Sequence, residues 1–570
     1  MCCRSHPILR SAIRCVERSG SSKRGAIYVS ATVSDPIRGT SEPDRYWTCT
    51  NLGEACPDVM SPMCWSIWGD SAEWSWLYSM YAFGVIPKKA LVVSPDMNDR
   101  GLSCFYGRQA FNVDAIKETM SSLPGVSPDD FERDLMGSVR PDAKKIESSN
   151  RRLPVVLAKA PGTAILTGKR IRKLHNRMYA KWVKVVYESD PVSQERPAIE
   201  RLLEARQDFV DVFSVHCVVR FLFQGGQSGI AAAAAKAGDA ALTADLLAGV
   251  GGVLETTMTD DLWRLGNHEI SEDDFLRKWG YHGPNEGNPY TTSWREDPTP
   301  IRYLAAASAV RERPNDRAAR SNAAAKKAEQ RLLAGTPVLQ RPAIRWLLRR
   351  MQNTIRTLQI GKAGYLMALD EARAAVKAFG AERVQLGQFD EPDDAFFLTV
   401  EECQQLAAGE LLNVREIVSV RRATRMEYKN MDLPLSFVGM PTLTQKSDWS
   451  APDILEVTGA ASGGGIIEGR ARIIEEADDD IDLDPGDVLV CRFTDPGWAP
   501  LMALADALVI DIGTSASHGA VVARELGIPF VIGTGNGTRV LREGDRILVD
   551  GTTAVVKVLE RDIGRELNLA

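Results

Sequence analysis

The sequence predicts a multidomain protein with a mostly α-helical body followed by a compact α/β domain. Three observations carry this. The 570 residues are 44% hydrophobic and 25% charged, an ordinary globular composition that excludes disordered, collagen-like and coiled-coil chains and is long enough for more than one core. Between about residues 129 and 380, apolar residues recur at spacings of three and four, the helical period. After Leu455 the texture changes to short apolar runs bounded by glycine and proline, alternating with short helical stretches.

The elements follow in chain order. Residues 1–40 carry Arg4, Arg10, Arg14, Arg18, Lys23, Arg24 and Arg38 against only Glu17 and Asp35, which reads as a basic, disordered tail. Residues 41–432 form the helical region. Its start is dense in aromatics: Trp47, Trp65, Trp68, Trp74 and Trp76 build either a core or the wall of a ligand pocket. Residues 170–187 form a helix through Ile171, Leu174, Met178, Trp182 and Val185. Residues 197–223 form another, with Pro197 in the first turn and Gly225-Gly226 as its stop. Residues 237–264 read as a further helix, and residues 302–380 as a return to helices. Between them, residues 280–298 are rich in Gly, Pro and Asn and form a long loop, the kind of segment that carries function. Thr399 with Glu402 has the spacing of a helix capping box. Residues 433–453, with Pro434, Pro441 and Pro452, are the expected linker.

The α/β domain spans 454–570. Strands are expected at Ile466–Ile474, 488–491, 507–511, Phe530–Ile532, 546–549 and 554–558, with helices at 499–505 and His518–Leu526 and an acidic loop at 475–484. The formal net charge of −6 argues against nucleic acid or an anionic membrane as partner. None of the ten cysteines forms a Cys-x-x-Cys pair, so no zinc or other metal site is expected. No apolar run of about 18–20 residues is apparent. Scattered thiols point to a cytoplasmic location.

The most informative segment is Asp511-Ile512-Gly513-Thr514-Ser515-Ala516-Ser517-His518. It reads as a buried strand, a Gly/Ser/Thr turn, then a helix capped by Ser517. The free N–H groups of a first helical turn favour an anion, and Thr514, Ser515 and Ser517 add hydroxyl donors. A histidine at that turn can take a phosphoryl group on a ring nitrogen. An ordinary helix start with a partly exposed histidine is the plain alternative. In the loop 280–298, Gly280, Gly283 and Gly287 free the backbone, while His282, Glu286, Arg295 and Glu296 bring acid–base and anion-binding groups. His282 or Glu286 could act as base, Arg295 or Lys362 as phosphate clamp. Glu286 and Arg295 could equally form an ion pair that staples the loop.

The stretch Thr494-Asp495-Pro496-Gly497-Trp498-Ala499-Pro500, the Asp511 to His518 turn, Ala523-Arg524-Glu525-Leu526-Gly527-Ile528-Pro529 and Asp550-Gly551 resemble the swivelling phosphohistidine domain of the phosphoenolpyruvate-utilising enzymes. The resemblance implies that His518 carries the phosphoryl group between two sites, with Thr494, Gly513, Thr514, Ser515 and Ser517 holding it. Upstream, Trp47 to Glu54, Phe105-Tyr106-Gly107-Arg108, Leu123-Pro124-Gly125, residues 280–298 and Asp394 to Thr399 resemble the acceptor-binding domain of rifampicin phosphotransferase-like proteins. Tyr281 and His282 stand where that family has His and Arg. Lys362 resembles the second member of a basic helix pair, with Leu358 in place of the first. Trp65 and Trp68 are then candidate walls of an acceptor pocket. The family's ATP-grasp domain has no counterpart in the sequence, which resembles the split phenylphosphate and 4-methylphenyl-phosphate synthases. That resemblance implies a separate ATP-grasp subunit holding ATP and Mg2+, and a small aromatic hydroxyl substrate, a phenol or cresol. A rifamycin-type or other alcohol acceptor, or a non-catalytic phosphocarrier, are the alternatives.

Overall fold

The computed structural model of the chain describes residues 33–561 apart from 51–54, 57, 123–126, 130–131, 133–138, 141–145, 240–241, 248–251, 447–453, 476–482 and 515–516. The first 32 residues of the expected basic tail, Ser515 and residues 447–453 of the expected linker lie outside the described residues. The fold below concerns residues 35–570, one compact unit.

The helical body is organised around two long helices packed along each other, Ala198–Lys236 and Arg341–Gln385. Pro62–Phe83 and Leu153–Trp182 lie alongside them. Pro62–Phe83 starts on Ser61, whose hydroxyl accepts from the Cys64 N–H, and ends on Gly84 at φ 86°, the start and stop chemistry of an autonomous helix. Ala198–Lys236 runs straight through Gly225-Gly226, contrary to the sequence expectation. The reason is tertiary. A Cβ at Gly226 would lie 2.7 Å from the Met351 sulfur, so the contact between the two helices selects a residue without a side chain. Packing outweighs the ~1 kcal/mol helical penalty of a glycine. Among the described residues this is the one helix long and apolar enough to cross a membrane by length and composition. Here its buried face, with Leu202, Phe209, Val212 and Val219, forms part of the main core.

The expected helix 237–264 is two helices, Leu242–Leu247 and Leu254–Gly266, and Gly252 at φ 69° supplies a turn conformation between them. Downstream, Thr299–Ala309, Pro314–Ala334 and Arg341–Gln385 each begin with proline in the first turn. A four-stranded sheet in the order Leu102–Phe105, Arg108–Asn112, Tyr46–Thr48, Ser436–Val438 closes one end of the body. The expected linker therefore starts as structure: Ser436–Val438 pairs antiparallel with Tyr46–Thr48, and Thr444–Gln445 with Met431–Asp432.

The C-terminal α/β domain is an eight-stranded sheet in the order Glu456–Thr458, Val555–Glu560, Arg546–Asp550, Ile466–Ile474, Asp487–Cys491, Ala507–Ile510, Phe530–Ile532, Ala461–Gly463. The four strands from Ile466–Ile474 to Phe530–Ile532 are parallel. Asp487–Cys491 and Ala507–Ile510 are buried throughout, as continuous apolar runs in a doubly covered parallel sheet must be. Val488, Val490 and Val509 face a core private to this domain. Leu489, Cys491, Leu508 and Ile510 face the other way and join the main apolar cluster of the body.

That second face brings the helices Ala499–Leu504 and His518–Leu526 onto Leu254–Gly266, Thr299–Ala309 and Pro314–Ala334. Polar contacts rim the junction: an Arg311 guanidinium N–H donates to the Leu483 carbonyl at 2.9 Å, the Ser321 hydroxyl to the Arg524 carbonyl at 2.8 Å, and Arg492 pairs with Asp432 at 3.0 Å. The closest approach is at Gly497, where a Cβ would sit 2.2 Å from the Gly283 carbonyl oxygen. A Gly497→Val substitution should therefore separate the α/β domain from the loop 280–298 while leaving each folded. Small-angle scattering should show a larger radius of gyration and circular dichroism an unchanged helix content; an unchanged radius contradicts this reading of the junction.

Candidate active site

His518 opens the helix His518–Leu526. Ser517 caps it by accepting from the Ala520 N–H at 3.4 Å, and Gly527 at φ 65° ends it. Thr494 is buried, and its hydroxyl oxygen would lie 2.6 Å from a Cβ at Gly519. Glycine there lets Thr494 reach the first turn of the helix. The Ser517 N–H donates to the Thr514 carbonyl at 3.0 Å, and Gly513 adopts φ 149°. Thr494, Thr514 and Ser517 are thus gathered around the turn that presents His518, beside backbone N–H groups at a helix start.

The His518 side chain is buried and enters the helical body. Its Nε2 lies 3.5 Å from Glu255 Oε1 at the start of the helix Leu254–Gly266. Burial and then the Lys362 charge lower its pKa to about 4, with Glu255 acting in the opposite sense. Above that value the ring is neutral, with a nitrogen lone pair available for attack on phosphorus.

Glu255, Lys362 and His282, with Trp279 and Tyr281, line a small pocket of about 10 Å3, closed on the α/β-domain side by Pro496. His282 sits among Tyr281, Trp294 and Trp279, with ring centroids at 4.3, 5.6 and 6.1 Å. Its Nδ1 and Glu286 Oε2 share a 2.5 Å hydrogen bond. Burial lowers the His282 pKa to about 4. Burial also raises the Glu286 pKa well above the carboxylate range, with Lys362 opposing. Burial thus favours the neutral form of both groups. Asp495, from the α/β domain, accepts from the Glu286 backbone N–H at 3.3 Å, and burial beside Glu286 raises its pKa to about 8.

Arg295 is placed elsewhere. It makes a bidentate pair with Asp370, Nε–Oδ2 2.7 Å and Nη2–Oδ1 2.9 Å, and reaches Glu296 at 3.0 Å. Asp370 also accepts from Trp182 Nε1 at 2.7 Å. The guanidinium expected as a phosphate clamp is thus engaged in pinning the loop to the helix Arg341–Gln385. The staple foreseen between Glu286 and Arg295 is two separate pairs, each with a different partner. Trp65 and Trp68, expected as pocket walls, are core residues 7% and 1% exposed. Trp68 contacts Phe209, Phe213 and Tyr365 edge-on, and its Nε1 donates to the Gly287 carbonyl at 2.8 Å. They brace the loop from behind, while Trp279 and Tyr281 supply the aromatic wall. Sequence reasoning missed Glu255, which no motif marks, and Asp495, which stood in the open within the Thr494 to Pro500 motif. Among the described residues, no group of three or more His, Cys, Asp or Glu is arranged to hold a metal ion.

The α/β domain thus brings His518 to Glu255, beside the pocket that Lys362 and His282 line, and sequence comparison gives these segments relatives. Residues 483–554 match the family described as "PEP-utilising enzyme, mobile domain", and residues 267–358 match "Rifampicin phosphotransferase fourth domain". In these two segments the chain resembles the phosphoenolpyruvate-utilising phosphotransferases. It is 34% identical over 177 residues to a rifampicin phosphotransferase of Bacillus cereus, covering 31% of this chain and 20% of that protein. It is 27% identical over 319 residues to the rifampicin phosphotransferase of Bacillus subtilis, covering 54% and 36%. An uncharacterised protein of Mycobacterium tuberculosis is 34% identical over 208 residues, covering 36% and 24%. The matched stretches thus span between a fifth and little more than a third of these relatives.

The lowered pKa values of His518 and His282 give a direct expectation. In an NMR titration with ring-labelled histidine, neither signal should move between about pH 8 and 5.5, where an ordinary histidine of pKa ~6.5 changes most. Assignment by His518→Asn and His282→Asn identifies the two; a midpoint near 6.5 for either refutes the electrostatic description.

Proposed function

We propose that this chain is the histidine-bearing part of an ATP-dependent phosphotransferase, in which His518 carries a phosphoryl group to an aromatic hydroxyl acceptor, a phenol or cresol. The observation that carries this reading is the approach of His518 Nε2 to within 3.5 Å of Glu255, which lines the pocket together with Lys362 and His282. On phosphorylation the Nε2 substituent would take the place now held by Glu255, and Lys362 would supply positive charge to the transferring oxygens. In the transfer step the bond from Nε2 to phosphorus breaks and its electron pair returns to the imidazole. The acceptor oxygen bonds to phosphorus, and its proton passes to His282. A phenol of pKa about 10 needs only a modest base for this.

The pocket favours a small planar acceptor. Its walls of Trp279 and Tyr281 suit the faces of a single aromatic ring, which would need the pocket to open. The names of the Bacillus relatives, rifampicin phosphotransferases, favour the second reading, a rifamycin-type alcohol. That substrate would require a much wider opening than the pose described here. ATP and Mg2+ would belong to a separate ATP-grasp subunit, and His518 would reach it by movement of the α/β domain.

His518→Ala should abolish both acceptor phosphorylation and the acid-labile, base-stable phosphate on the chain. Phosphoramidate, which phosphorylates histidine directly, can charge the chain without any partner. Label that persists in His518→Ala rules out this histidine as carrier. In the same single-turnover assay, Lys362→Met should slow delivery to 4-methylphenol by about 10²–10³-fold with unchanged charging of His518. An equal loss in charging would place the lysine in the first half-reaction instead.

A further inference from the structure

The loop 280–298 separates two cavities. The first is the pocket that His282 lines. The second, on the opposite side, is lined by Glu286, Asn288, Ser293 and Thr292 among others, with a volume of about 20 Å3, room for one or two water molecules. Thr292 is exposed at its rim. Three side-chain atoms on its lining residues have no hydrogen-bond partner within the protein: Glu286 Oε1, Asn288 Nδ2 and Ser293 Oγ. These residues are 9%, 1% and 6% exposed. A buried amide donor, a hydroxyl and a carboxyl oxygen left unpaired together are costly unless something small and polar bonds to them. Water satisfies all three. Glu286 thus spans the wall, with Oε2 on His282 Nδ1 at 2.5 Å and Oε1 unpaired on the far side.

We propose that this second cavity is a water site that serves as the proton exit of the active site, with Glu286 relaying a proton from His282 to the bound water. The proposal rests on the reading of His282 as the group that takes the acceptor's hydroxyl proton. The steps balance as one chain of transfers. In the resting state the Glu286 carboxyl carries its proton on Oε1, donated to water. Oε2 accepts from His282 Nδ1–H, and His282 Nε2 holds a lone pair. The acceptor's proton moves to Nε2, the Nδ1 proton moves to Oε2, and the Oε1 proton leaves to the water and through the rim at Thr292. The ring and the carboxyl both start and finish neutral. No charge accumulates in the buried site while the phosphoryl group moves. Asn288 and Ser293 are positioning residues, holding the water against Oε1.

The test separates the relay from the acceptor reading. Chain charged at His518 with phosphoramidate is mixed with 4-methylphenol, un-ionised, or with 4-nitrophenol at mildly alkaline pH, where it is largely ionised and has no proton to lose. Glu286→Gln should lower the ratio of the two single-turnover rates by about 10²-fold, a typical general-base contribution. Asn288→Leu and Ser293→Val, which displace the water, should lower it in the same direction by about tenfold, on the order of one hydrogen-bonded step. An unchanged ratio in all three variants overturns the relay. An independent readout needs no acceptor. The infrared difference between wild type and Glu286→Gln at neutral pH should contain a carboxylic-acid carbonyl band that shifts in Ser293→Val. A carboxylate band in its place overturns the relay. If charged wild type delivers to neither phenol, the acceptor reading fails, and the infrared band alone decides the relay.

Discussion

The site depends on one buried ion pair, Arg295 with Asp370. The loop 280–298 has almost no regular structure and no core of its own, yet it must hold His282 and Glu286 to within a hydrogen bond. Its order is borrowed from the helix Arg341–Gln385. Asp370 grips Arg295 with both oxygens, and one turn further Arg373 bonds to Glu296 and to the carbonyls of Pro289 and Tyr290. Removing one partner of such a pair strands the other charge in a dry interior, at a cost of ~3–5 kcal/mol. Because Lys362 stands on the same helix, two turns before Asp370, the anchor also fixes the distance between the lysine and the loop.

A second constraint is charge. Glu255, Glu286 and Asp495 converge near a single lysine, and three buried carboxylates would oppose an incoming phosphoryl dianion. The structure moderates this by burial itself. The Glu286 and Asp495 carboxyls are pushed upward, so the neutral acids are favoured where the anions would repel. The two histidines are pushed down. Desolvation, which penalises every charged form, leaves a site whose groups exchange protons at little electrostatic cost.

Much of the α/β domain is legible in the sequence. Ile466–Ile474, Phe530–Ile532 and His518–Leu526 fall where their patterns put them: Phe530–Ile532 is a buried, unbroken apolar run, and Ser517 is a recognisable cap. The Thr399 and Glu402 capping box is present as read. Failures share one cause: partners distant in sequence. Gly225-Gly226 looks like a helix stop until Met351 is placed against it. Arg295 looks like an anion clamp until Asp370, 75 residues on, takes both of its nitrogens. Trp68 looks like a pocket wall until Phe209 and Tyr365 surround it. Glu255 has no local signature at all, since its importance comes only from the histidine that another domain brings to it.

The main apolar cluster runs without interruption from Leu489 and Met502 in the sheet domain to Leu262 and Leu332 in the body. A domain that leaves this pose wets both halves of that seam. Its departure therefore has the thermal character of a small unfolding event, with a positive heat-capacity change. Near room temperature the closed pose is favoured by salts that strengthen apolar association, and the heat capacity of any opening would register how much of the seam it wets.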